Sequence, residues 1–163
     1  MLHGGIMEAH DEQIHPDAAV APGYLANHAA RVFNRMVDAA LRPHGISLAL
    51  LGPVLLLSWK GPMLQRDLVR SSAVKQPAMV ALLDKLQSMG LIERLPTAND
   101  RRSATVQLTA QGQEIAKLGG HALIDANNQG MKDFSGQEAV LLVGLLQRLI
   151  ANLEGHDGTI YHE

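Results

Sequence analysis

The stretch GLIERLPTANDRRSATVQLTAQG, residues 90–112, decides how this chain is read. Leu91 to Leu95 is short and partly apolar, and Ala104 to Leu108 alternates polar with apolar residues over the length of a strand. Between them lie Pro96, Asn99 and Asp100, residues that favour turns. The pattern predicts a β-hairpin with a small polar tip that carries two adjacent arginines, Arg101 and Arg102. A tip contributes little to a core, so its charges are free to serve something outside the fold.

The segments upstream give the hairpin its context. Met63 to Arg70 reads as a short helix with Leu64, Leu68 and Val69 turned inward. After Ser71 and Ser72, a longer helix is expected from about Gln76 to Met89, with Met79, Leu82, Leu83 and Leu86 on one face and Gly90 closing it as a C-cap. The order is helix, turn, helix, hairpin. This is the order of a winged helix-turn-helix, whose second helix enters a DNA major groove while the hairpin reaches the backbone or the minor groove. Ser71, Ser72 and Lys75 stand at or before the start of that second helix, where hydroxyl, ammonium and free N–H groups suit a phosphate.

Residues 1–22 are polar, rich in His, Asp and Pro, and form a flexible arm in this reading. From Tyr24 to Leu41, apolar residues recur at helical spacing until Pro43-His44-Gly45 stops the pattern. Ser47 is placed to cap a helix from Leu48 to about Trp59, which Gly52-Pro53 should kink or split. Thr109 is a plausible N-cap for a helix to about Asn128, and Ser135-Gly136-Gln137-Glu138 has capping-box spacing before the apolar run Ala139–Leu153. A helix apolar on nearly all sides is either central to a core or covered by a second chain. The expected fold is mainly α with a small β-hairpin wing (α+β). Its parts are the arm (1–22), N-terminal helices (23–59), a DNA-binding winged helix-turn-helix (60–108), C-terminal dimerisation helices (109–155) and a tail (156–163). A monomeric helical core is the other reading of the two flanking layers.

Composition narrows the classes. With 163 residues, 47% of them hydrophobic, the chain suits one domain with a real core. It has no cysteine, which excludes disulfides, thiolate metal sites and thiol redox switches within it. No basic, apolar leader opens the chain, and the run Leu48 to Leu57 is too short to span a bilayer, so a cytoplasmic protein is expected. The net charge of −2 divides unevenly: residues 1–59 carry −2, residues 60–107 carry +4 and residues 108–163 carry −4. A basic middle between acidic ends suggests that only the middle meets an anion.

The residues that carry a family resemblance are now in place: Gln76-Pro77, Leu82-Leu83-Asp84-Lys85-Leu86, Gly90-Leu91-Ile92-Glu93-Arg94, Asp100-Arg101-Arg102, and Leu108-Thr109-Ala110-Gln111-Gly112. In order and spacing the chain resembles the MarR family of bacterial winged helix-turn-helix transcriptional regulators across roughly residues 60–115, and more loosely from 23 to 153. The resemblance implies a homodimer with a helical body and two winged helices that bind double-stranded DNA at a pseudo-palindromic operator. It implies that Asp100 holds Arg102 extended for the minor groove, with Arg101 on a phosphate. Where relatives often carry Ser, Thr or Arg, the outward positions of this recognition helix read Pro77, Ala78, Val80 and Ala81. Small apolar groups pack on thymine methyls, and Gln76 remains as the donor and acceptor for adenine. Lys85, Arg66 and Arg70 are further phosphate contacts or a soluble face, and Arg94 at the hairpin base is expected to be structural.

Many relatives release DNA on binding small, often phenolic or carboxylated ligands, so a repressor switched by such an effector is implied. The residues singled out for that ligand are Arg35, His44 and Trp59, with surface charge and core packing as their other reading. The histidines show no i, i+4 pair on a confident helix, so no metal site and no cofactor are expected. No Gly-rich phosphate loop, HExxH, nucleophile elbow or paired carboxylates appear, and the chain is not read as an enzyme. The alternative function is a winged-helix protein-interaction module without sequence-specific DNA binding.

Overall fold

A computed structural model describes residues 15–97 and 100–157, with residues 100–103 and 157 described by their backbone alone. The chain divides between Ala126 and Asn127 into two compact units, taken here in turn.

In the first unit, helix α1 (Pro22–Leu41) starts with Pro22 in its first turn, where the missing N–H would have had no partner. A 3₁₀ turn (Arg42–His44) ends at Gly45, whose φ of 71° is the left-handed conformation that glycine adopts freely. Two side chains then start α2 (Leu48–Lys60): the Leu48 N–H donates to Asp38 Oδ1 at 2.7 Å, and the Leu50 N–H donates to Ser47 Oγ at 3.3 Å. Gly52-Pro53 does not split the helix, and α2 runs as one helix through Pro53. Proline removes one backbone hydrogen bond, at a cost of about 3 kcal/mol in a helix interior. Burial of Pro53 itself, with Leu50, Leu51, Val54 and Leu57 beside it, offsets that loss.

Met63 and Leu64 are not helical. They form a short strand β1 that pairs antiparallel with β3, Met63 opposite Val106 and Leu64 opposite Thr105, and α3 (Gln65–Arg70) follows directly. Helix α4 (Gln76–Ser88) buries Met79, Leu83 and Leu86. It ends in a Schellman turn: Gly90, at φ 74°, donates its N–H to Gln87 O, and the Leu91 N–H donates to Leu86 O. Strands β2 (Ile92–Thr97) and β3 (Asp100–Leu108) make the hairpin, and the three-stranded sheet has the order β1-β3-β2. One layer of apolar side chains joins these elements, from Val37 and Leu41 on α1 through Leu51 and Leu57 to Leu68, Met79, Leu83, Ile92 and Val106.

Thr109 begins α5 (Ala110–Gly130) as expected, its Oγ1 accepting the Gly112 N–H at 3.1 Å. Gly112 and Gly119 on this helix come too close to their neighbours for any side chain. A Cβ on Gly112 would lie 2.0 Å from Leu91 O, and one on Gly119 would lie 2.2 Å from Leu51 Cδ1. The first turns of α5 therefore pack on the winged-helix body and on α2.

In the second unit, a turn with Asp133 at φ 66° leads to α6 (Gly136–Asp157). The capping box forms reciprocally: the Ser135 N–H donates to Glu138 Oε2 at 2.8 Å, and the Glu138 N–H donates to Ser135 Oγ at 3.1 Å. The helix continues past the tail boundary expected at residue 156. Its apolar side chains Val140, Leu141, Val143, Leu145, Leu146, Ile150 and Leu153 are exposed. Among the described residues, no single helix is long and apolar enough to cross a membrane.

Candidate nucleic-acid interface

Burial orients α4. Met79, Leu83 and Leu86 set its inner face, so at 100° per residue Pro77, Ala81 and Ser88 lie on the opposite side. Ala78 and Lys85 flank that line on one side and Asp84 on the other, and all six of these side chains are exposed. Gln76 is exposed on the flank it shares with Val80, Asp84 and Gln87. Val80, expected to point outward, is half-buried on that flank.

The start of α4 is open. Lys75 occupies the N-cap position without a side-chain cap, and Pro77 has no N–H to satisfy. Among the described residues, no partner accepts the N–H of Gln76 or Ala78. Ser71 and Lys75 are exposed beside this end. Ser72 is committed within the loop: its Oγ accepts the Val74 N–H at 3.3 Å and sits 3.4 Å from Val69 O. A hydroxyl bound in such a turn shapes the backbone and is poorly free to meet a phosphate. Arg66, Arg70 and Lys85 are exposed, and Arg70 is 3.6 Å from Asp67 one helical turn away, a weak surface pair.

The hairpin differs from the expected loop-like tip. Thr97 pairs with Asp100, the last pair of the β2–β3 ladder among the described residues. Asp100, Arg101 and Arg102 are thus on strand β3. The register shifts between Leu95 and Thr97, at Pro96, a residue that cannot donate to the ladder. Asp100 and Arg102 are two residues apart along this strand. The contact expected between their side chains lies outside the described residues.

One side-chain relationship was not legible in the sequence. Arg94 on β2 reaches α4, its Nε donating to Gln87 Oε1 at 2.6 Å and its second guanidinium nitrogen donating to Asp84 Oδ1. The tie agrees with the structural role expected of Arg94 at the hairpin base, while its partners depend on how a strand sits against a helix, which sequence spacing does not carry.

Arg35, His44 and Trp59 are not brought together. The axes of the α1 segment and α2 differ by 84°. With a rise of about 1.5 Å per residue, Arg35 and Trp59 stand roughly 20 Å apart on the two arms, with His44 at the elbow. Trp59 is 86% exposed, so core packing does not describe it either. A hollow of about 370 Å³ at the elbow is lined by Asp38, Arg42, Gly45, Ile46, Ser47 and Leu50, none of them among those three. Among the described residues, no group of three His, Asp or Glu side chains is placed to hold a metal ion.

Comparison with known proteins follows the same geometry. The model of the MarR family matches residues 54–104, from α2 through the hairpin arginines. The HTH-type transcriptional regulator FarR of Neisseria gonorrhoeae is 27% identical over 99 residues, 61% of this chain and 67% of that protein. The crystal structure of transcriptional regulator PA3341 is 30% identical, with a TM-score of 0.68, 82% of this chain covered and 98% of that one. A mutant MarR from E. coli complexed with operator DNA is 25% identical, with a TM-score of 0.71 over 83% of this chain and 99% of that one. The Mycobacterium tuberculosis MarR family protein Rv2887, in complex with salicylic acid, is 27% identical, with a TM-score of 0.61 over 79% of this chain and 96% of that one.

Proposed function

The chain belongs to the MarR family of transcriptional regulators, and on that premise we propose that it acts in the cytoplasm as a homodimeric repressor, released from a pseudo-palindromic operator by a small aromatic or carboxylated effector. The observation that carries the DNA-binding part is the open, exposed start of α4 beside a hairpin with two arginines on β3. The likeness to a MarR bound to operator DNA supports it. The α4 face of Gln76, Pro77, Ala78 and Ala81 enters the major groove. Ser71, Lys75 and the free N–H groups of the first turn take phosphate, and Asp100, Arg101 and Arg102 serve the wing. Short side chains bring the α4 backbone close to base edges, and their methyl groups favour thymine over guanine.

The dimer is formed by the N- and C-terminal helices, α1 and α6, whose exposed apolar side chains have no other role in a dissolved monomer. Each dimer then presents two winged helices to two half-sites. Effector release has its support in the relative that holds salicylic acid.

Salt dependence tests this reading. Binding to a duplex library through phosphate contacts releases counterions, so the logarithm of affinity falls linearly with the logarithm of salt concentration. Replacing Arg101 or Lys75 with Ala should each reduce that slope by about one unit. A slope near zero would sink the proposal in favour of a protein-binding winged helix.

A further inference from the structure

Asp84 is the one acidic residue in α4, and its side chain is 60% exposed on the flank that also holds Gln76. A carboxylate there opposes any approach of phosphate. Arg94 answers it from a different element: its side chain is only 21% exposed, and its guanidinium forks between Asp84 and Gln87, one helical turn apart on α4. The strand it comes from is well anchored. Arg94 pairs with the buried Val106 across the ladder, and the adjacent Gln107 donates to Glu93 at 3.1 Å. The same β3 that bears Val106 carries Arg101 and Arg102 further along.

From this geometry we infer that Arg94 is a positioning residue for the DNA interface: it neutralises Asp84 on the recognition helix and fixes the base of the wing against that helix. The inference rests on the DNA-binding reading above. It assigns Arg94 no contact with DNA. A surface ion pair adds little to stability, so the effect belongs to the interface and not to the fold. Lysine can meet Asp84 but lacks the second donor, held at a fixed angle, that reaches Gln87. The tie also explains how a helix with a carboxylate on its exposed side can lie against a polyanion.

The test uses the full chain and a duplex selected by the wild type, with Arg94→Gln, Arg94→Lys, Asp84→Asn and the double variant Asp84→Asn/Arg94→Gln. Thermal melts should stay close to the wild type. Arg94→Gln should lose about tenfold in affinity, Asp84→Asn should stay within about twofold of the wild type, and the double variant should regain most of the loss, because the unscreened carboxylate is gone. Arg94→Lys should keep the charge but loosen the wing, read without DNA as faster amide exchange in β2 and β3. An Arg94→Gln protein that binds as the wild type does would overturn the inference alone. So would a double variant as weak as Arg94→Gln, since the Asp84 carboxylate would then not be what Arg94 answers. Wing amides that exchange at the wild-type rate in Arg94→Lys would also overturn it. Failure of the folded wild type to select any duplex would overturn the DNA-binding reading and this inference with it.

Discussion

The hydroxyl of Thr109 donates to the carbonyl of Gly90 at 2.6 Å, joining the two ends of the hairpin across 19 residues of chain. The same oxygen accepts the Gly112 N–H at 3.1 Å, so one side chain closes the wing and starts α5. Removing it leaves both partners to find water in a half-buried site. Thr109→Ala should lower unfolding free energy by about 1–2 kcal/mol, while Thr109→Ser keeps most of it. Denaturant titration of the two variants decides the matter, and equal stability of the two would count against this role.

Gly119 meets Leu51 in a different way from how Gly112 meets Leu91. The obstacle to a methyl group at 119 is a side chain, Leu51 Cδ1 at 2.2 Å, whereas at 112 it is a backbone carbonyl at 2.0 Å. A side chain can be shortened. Gly119→Ala should destabilise by about 1–3 kcal/mol through overpacking, and Leu51→Ala by about 2–5 kcal/mol through a cavity. The double variant should cost clearly less than the two together, because the new methyl occupies part of the space that Leu51 leaves. Additive losses in chemical denaturation would mean that the close approach of α5 and α2 is not what limits residue 119. No such rescue is available for Gly112→Ala, which should be the worse of the two glycine variants.

On α6, Val143, Leu146, Ile150 and Leu153 project within about 80° of one another around the helix axis, all exposed. Covering the part of each that is exposed by a second chain is worth about 0.7–1.5 kcal/mol. The pair Leu146→Glu and Ile150→Glu should leave helix content unchanged and turn a dimer into a monomer in sedimentation equilibrium. Operator binding should fall with it. A variant that stays dimeric would place the interface on other helices.

Trp59 is the sole tryptophan of the chain and 86% exposed at the end of α2. Its emission should be that of a hydrated indole and open to an aqueous quencher. With salicylate as the probe, the account predicts weaker operator binding without protection of Trp59, since Arg35, His44 and Trp59 do not converge. Protection of Trp59 at concentrations of salicylate that release DNA would show that the effector sits against α2.

Much of this architecture was legible from local chemistry. Ser47, Gly90, Thr109 and the Ser135–Glu138 box each act on backbone groups within a few residues, so sequence alone locates them. The misreadings share a cause in tertiary context. Pro53 breaks a helix in isolation but is tolerated where it is buried beside Leu50, Leu51, Val54 and Leu57. Met63-Leu64 is too short to show any period, and only Thr105 and Val106 across the ladder make it a strand. Ser72 stands before α4, where a hydroxyl suits a phosphate, and its Oγ accepts the Val74 N–H, a turn that spacing alone does not show. Of the interface, the arginines and the small outward residues of α4 were readable as types. The Arg94 fork needed the packing of a strand on a helix.

Selection of binding sites from a random duplex library at physiological salt, with Arg102→Ala beside the wild type, tests the central claim most directly. The account predicts a pseudo-palindrome whose half-sites lie about one helical turn apart, rich in thymine and adenine, and weaker enrichment with Arg102→Ala. Enrichment of no sequence by the folded wild type, or of the same sequence to the same degree by both proteins, would contradict it.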